Sequence, residues 1–131
     1  MIVVDTNIIA YFLLPYDKSP LAEDLFRRDP DWIAPILWRS EFRNILAGYL
    51  RRGTYTLDQV VRAQREAEFL MAGNEHEVDS QRVLELVRDS SCTAYDCEFV
   101  ALAARFDVKL VTEDKKLISA FPMHATPLVG A

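Results

Sequence analysis

Four carboxylates of this chain stand where a carboxylate is costly. Asp5 closes the first apolar run, Ile2-Val3-Val4, and Asp114 follows the last strong one, Val108-Lys109-Leu110-Val111-Thr112. Between them Glu41 and Asp96 interrupt the apolar stripes of two helical segments. Acids gathered without Lys or Arg partners repel one another and raise each other's pKa, so such a cluster is expensive unless a cation occupies it. An oxygen-only donor set drawn from several elements suits Mg²⁺ or Mn²⁺, and three or four acids can hold one ion or two. The chemistry expected is metal-dependent phosphate chemistry, with no need for a Ser, His or Cys nucleophile.

The elements that position these acids are legible in outline. Ile2-Val3-Val4 is a continuous β-branched run, the pattern of a strand covered on both faces of a parallel sheet. Ligand sites in open α/β sheets lie beyond the carboxyl ends of the strands, which is where Asp5 falls, although an Asp there also caps the helix expected from Ile8 to Leu14. Thr6 and Asn7 serve either role, orienting a metal-bound carboxylate or satisfying backbone amides. Ser19-Pro20 predicts a capped helix to about Arg28, and Trp32-Ile33-Ala34 a second strand. A long helix is expected from about Ile36 to Arg52, with Leu37, Glu41, Ile45 and Gly48 on one stripe. Glu41 then faces inward, and Arg39 and Arg43 lie on the opposite face.

Thr56 and Gln59 read as a capping box for a helix ending near Gly73-Asn74, and a further helix spans about Ser80 to Asp89. Thr93 and Asp96 repeat the cap signature before a helix to about Phe106, which puts Asp96 in the first turn of a stripe continued by Phe99, Val100 and Ala103. A strand over 108–112 and a short helix over 114–120 follow, and the tail 126–129 is suited to an edge strand. Asp114 is a ligand or the cap of its own helix, with Glu113 as its rival, and Thr112 is a supporting hydroxyl. Trp38 and Tyr95, beside inward acids, are expected in the core. His76 and His124 are expected on the surface, and Lys115 and Lys116 on a solvated helix face. Strands alternating with helices imply an α/β sheet with helices on both faces.

At 131 residues, half of them hydrophobic, the chain is expected to form one domain over 1–131. Its apolar runs fall short of the ~20 residues of a membrane span, so a soluble cytoplasmic protein is expected. Cys92 and Cys97 are too few for a disulfide framework or a zinc site and read as reduced buried thiols. The net charge of −5 opposes nucleic-acid binding, but −1 remains once the four clustered acids are set aside.

Val4-Asp5-Thr6-Asn7, Glu41 after Trp32-Ile33-Ala34-Pro35, Tyr95-Asp96-Cys97-Glu98-Phe99-Val100-Ala101-Leu102-Ala103 and Leu110-Val111-Thr112-Glu113-Asp114 together resemble the PIN-domain family, most closely its small ribonuclease toxins of the VapC type. The match runs over nearly the whole chain. The resemblance implies a PIN-like three-layer α/β fold with a short, mainly parallel central sheet flanked by helices. It implies an endoribonuclease in which Asp5, Glu41, Asp96 and Asp114 bind Mg²⁺ or Mn²⁺, Asp114 directly or through water, supported by Thr6, Asn7 and Thr112. An RNA substrate, a homodimer and a cognate antitoxin are implied with it. Two other classes compete. A magnesium-dependent phosphatase or phosphoacceptor also places an Asp after a buried strand, but Asn7 stands where a dehalogenase-like phosphatase carries its second Asp. A silent interaction module has no reason to keep four mutually repelling acids.

Overall fold

Strand β1 (Ile2–Val4) is the centre of the sheet, and its neighbours explain its composition. β2 (Trp32–Pro35) runs parallel on one side, pairing Ile2 with Trp32, and β4 (Leu110–Val111) parallel on the other, pairing Val4 with Val111. Val3, Val4, Leu110, Val111 and all four residues of β2 are buried, so successive side chains that point to opposite faces all meet protein. β3 (Glu75–His76) and β5 (Ala125–Thr126) complete an all-parallel sheet of order β3-β2-β1-β4-β5.

The computed structural model describes residues 1–131. Seven helices flank the sheet: α1 (Thr6–Leu13), α2 (Ser19–Arg28), α3 (Trp38–Arg51), α4 (Leu57–Leu70), α5 (Ser80–Arg88), α6 (Ala94–Phe106) and α7 (Lys115–Ala120). α6 lies on β1, β2 and β4 with α5 against it, while α1 packs with α2, α3 and α4. α6 presents Cys97, Phe99, Val100, Ala101, Leu102 and Ala103 to the core, and its near-continuous apolar run follows from that central seat. The expected three-layer α/β architecture is what forms.

Several local expectations hold. Thr56 and Gln59 form the reciprocal capping box of α4, and the Thr93 hydroxyl accepts the Asp96 amide at 3.1 Å to open α6. Gly53 (φ 72°) supplies the left-handed residue after α3. Cys92 and Cys97 are buried free thiols.

Others are corrected. Ser19 is the first residue of α2 and not its cap; its hydroxyl donates to the Leu14 carbonyl and accepts the Tyr16 amide, closing the preceding loop. His76 is not a surface loop residue: it lies in β3, half-buried, with its ring edge-on to Phe106 at 4.9 Å. A two-residue strand is too short to show periodicity, so Glu75-His76 read as a polar turn. What fixes β3 is a side-chain clamp. Glu75 accepts the Trp38 indole N–H at 2.9 Å and two Arg39 bonds at 2.5 and 2.7 Å, which lowers its pKa chiefly through Arg39.

The clamp gives a first prediction. Glu75→Ala leaves the buried Trp38 indole without its acceptor and Arg39 without its fork, so urea unfolding should report a loss of about 2–3 kcal/mol. A change under about 0.5 kcal/mol, the range of ordinary surface substitutions, would show that the clamp does not hold the edge.

Candidate active site

The strand order reverses beside β1, since the chain builds outward to β2 and β3 on one side and to β4 and β5 on the other. That switch point opens a crevice at the carboxyl ends of the strands. Asp5 leaves β1 there, Thr112-Glu113-Asp114 leave β4, and the turn after β2 leads into α3 and Glu41. α6 brings its first turn, with Asp96, to the same end. The resulting cleft of about 430 Å³ is lined by all four acids, and by Thr6, Asn7, Ser40 and Asn44 among others.

Two buried threonines connect the acids. The parallel register sets Asp5 beside Thr112, where the Asp5 amide donates to the Val111 carbonyl at 3.0 Å. The Thr112 hydroxyl donates to Asp5 Oδ2 at 2.7 Å and accepts the Asp114 amide at 3.0 Å. The Thr6 amide donates to Asp5 Oδ1 at 2.7 Å, and the Thr6 hydroxyl donates to Glu41 Oε1 at 2.7 Å. Glu41, Thr6, Asp5, Thr112 and the Asp114 backbone thus form one hydrogen-bonded chain. Thr6 and Thr112 are the buried polar residues of the whole molecule, at 3 % and 0 % exposure. Asn7 lines the cleft but is exposed, and its side chain makes no hydrogen bond.

The bland and functional readings of the aspartates turn out to be compatible. Asp5 caps α1 and Asp114 caps α7, accepting the Lys116 amide at 2.9 Å, while both still line the cleft. Glu113 points elsewhere, pairing with Lys18 and accepting the Leu128 amide at 2.9 Å. Lys115 and Lys116 are exposed. Tyr95 corrects the core expectation: it is 63 % exposed and lines the cleft, because the first turn of α6 projects beyond the sheet. Trp38 is buried as expected.

None of the four acids is in a salt bridge. Burial pushes Glu41 up to about 7, with Asp5, Asp96 and Glu98 adding to the rise and the Thr6 hydroxyl opposing it. Asp5 is raised first by burial, against its Thr112 and Thr6 hydrogen bonds, and further by the charges of Asp96 and Asp114. Asp96 is raised by burial and then by Asp114. Desolvation therefore leads and like-charge repulsion follows.

Three residues escaped the sequence reading. Ser40 and Asn44 flank Glu41 on the cleft side of α3, and their i, i+4 spacing was the available signal. Glu98 stands two residues from Asp96, where a helical wheel gives no warning that its charge reaches Glu41.

No group of three or more His, Cys, Asp or Glu side chains is already arranged to hold a metal ion. The donor chemistry nonetheless fits a hard divalent cation: oxygen only, no cationic side chain among the cleft-lining residues, and carboxylates whose charge burial makes costly.

The PIN domain family profile matches residues 2–121. The chain belongs to the PIN-domain family. Ribonuclease VapC3 of Pyrobaculum aerophilum is 30 % identical over 129 residues, covering 96 % of this chain and 98 % of that protein. Among solved structures, PAE2754 from Pyrobaculum aerophilum superposes with a TM-score of 0.75 at 18 % identity, over 98 % of this chain and 91 % of the other. A toxin-antitoxin complex from Klebsiella pneumoniae gives 0.68 at 18 % identity, over 96 % and 97 %.

The half-buried Glu41, pushed up to about 7, couples the stability of this PIN domain to pH. An acid raised above its unfolded value binds more protons folded than unfolded, so its stabilising effect is complete below about pH 4.5 and is lost as pH rises through 7. In chelator, stability should fall between pH 5 and 8 by about 1–2 kcal/mol on account of this group, the full shift being reduced by solvent screening at a partly exposed carboxylate, and Glu41→Gln should flatten that fall. Identical pH profiles for the two proteins would refute the assignment.

Proposed function

We propose that this PIN domain is a divalent-metal-dependent endoribonuclease and the toxin of a toxin–antitoxin pair. The observation that carries the reading is the convergence of Asp5, Glu41, Asp96 and Asp114 on one cleft without a single cationic partner. These four would hold the ion, with Thr6, Thr112 and Asn7 in support. Mg²⁺ or Mn²⁺, when bound, supplies an activated water and neutralises charge on the phosphodiester. The chain's own part is orientation. Thr112 fixes one oxygen of Asp5 and the backbone of Asp114, and Thr6 fixes Glu41, so that three elements meet in one register. Burial keeps a proton on Glu41 near neutrality, and loading the site displaces it, so ion affinity rises with pH.

The similarity to a VapC ribonuclease and to a toxin-antitoxin complex supports RNA as substrate and a cognate antitoxin as partner. No helix is long and apolar enough to cross a membrane, in keeping with a cytoplasmic enzyme. We assign residues 1–131 to one catalytic unit. Exposed Phe69, Leu84 and Met123 support self-association as a homodimer. Light scattering should therefore report about twice the 15.0 kDa chain mass, and a concentration-independent monomer would remove the dimer.

Freed of any inhibitor, the chain should cut RNA with Mg²⁺ or Mn²⁺ and stop on chelation. Asp96→Asn should lower cleavage by more than the ~10–100-fold typical of outer-shell changes at metal sites, while the fold survives by circular dichroism. Cleavage that persists in chelator, or release of phosphate from monoesters without RNA cutting, would overturn the reading.

A further inference from the structure

Gly48 sits in the interior of α3, where glycine is the worst ordinary helix former. No neighbouring helix needs the space. A Cβ built at Gly48 would meet the Arg52 guanidinium first, with Nη1 at 3.2 Å and Cζ and Nη2 at 3.8 Å. Arg52 folds back along the helix over this bare backbone, and its Cζ rests 4.9 Å from the centre of the Tyr49 ring. The guanidinium makes no ion pair and no side-chain hydrogen bond, so its donors are free.

The position matters because Glu41, Ile45, Gly48 and Arg52 follow one another on a single stripe of α3, and Glu41 and Ile45 line the cleft. Gly48 lies seven residues past Glu41, about 10 Å along the axis. Beside the stripe stands an aromatic wall. Tyr49 meets Tyr16 edge-on at 6.4 Å, and Tyr16 meets Tyr11 at 5.1 Å. Lys18 lies over Tyr11 and pairs with Glu113, next to Asp114. The contacts thus run from Arg52 through three tyrosines to Lys18, while the stripe itself leads from Gly48 back to Ile45 and Glu41 in the cleft. Charge agrees with it: in a chain of net charge −5, the α3–α4 hairpin holds six arginines against four carboxylates.

We propose that Arg52, whose guanidinium lies over the Tyr49 ring and the bare backbone of Gly48, binds a phosphate of unpaired RNA flanking the scissile one. The inference rests on the endoribonuclease reading and adds the path of the strand to it. A guanidinium fork held against a ring is preorganised for a phosphate, and it presents a flat face on which a base can stack. Tyrosine and arginine faces suit single strands, whose bases are free to stack, better than A-form duplex.

The test uses the full chain carrying Asp96→Asn, so that RNA is held and not cut, with a fluorescein-labelled single-stranded oligouridylate in Mg²⁺. Arg52→Gln should weaken binding roughly five- to tenfold and reduce the slope of log affinity against log salt by about one. Gly48→Ala should push the guanidinium off its seat and weaken binding severalfold while raising the melting temperature by roughly 2–4 °C, because alanine improves the helix. That opposition of affinity and stability is what a merely structural glycine would not produce. Arg43→Gln, on the opposite face of α3, should leave affinity unchanged. Parental affinity and salt slope in Arg52→Gln, or parental affinity in Gly48→Ala, would overturn the strand path while leaving the nuclease intact. A parent that binds no RNA, with a wild type that cuts none, would overturn both.

Discussion

The site depends on two threonine hydroxyls with no water to bond to. Thr6 and Thr112 are buried, so each must place its hydrogen bonds within the protein, and each finds a carboxylate at 2.7 Å. A hydroxyl can donate to a carboxylate without neutralising it, which a lysine or arginine cannot. Orientation is thereby separated from charge compensation: the acids are held in place and remain uncompensated. A cationic donor in either place would neutralise the acid that it held.

That choice sets the electrostatic character of the molecule. Elsewhere several acids are paired conventionally, as in Asp24 with Arg27 and Arg28, or Glu75 with Arg39. Around the cleft the same residue types are raised by burial and left alone. Acids and arginines are also segregated, with Arg43, Arg51, Arg52, Arg62 and Arg65 free of carboxylate partners on one hairpin. A net charge of −5 describes neither region.

Much of this was legible in the residues. The β-branched run before Asp5 exposed the central strand, and the apolar stripe Leu37-Ile45 of α3 singled out Glu41, although that stripe lies half-buried along the cleft and the buried face of α3 is Trp38, Phe42 and Leu46. What escaped was set by contacts between distant segments. β3 exists because Trp38 and Arg39 reach Glu75, 37 and 36 residues away, and no local pattern records that. Tyr95 looked like core because it adjoins an inward acid, yet α6 overhangs the sheet at its first turn. The leading role of desolvation over repulsion also needed the fold, since sequence shows the charges and not the depth at which they sit.

The placement of β1 at the centre of the sheet has a consequence for how the protein is born. Its partners come from residues 32–35 and 110–111, and the Thr112 bond to Asp5 spans 107 positions. Contacts of such separation form late, after the loop between them is closed. A nascent chain on the ribosome therefore carries Asp5 and Glu41 without a joined cleft until residues 110–114 have been made. The last of the four acids, and the hydroxyl that seats the first, are both made after the other three. Topology delays assembly of the cleft until that segment has emerged.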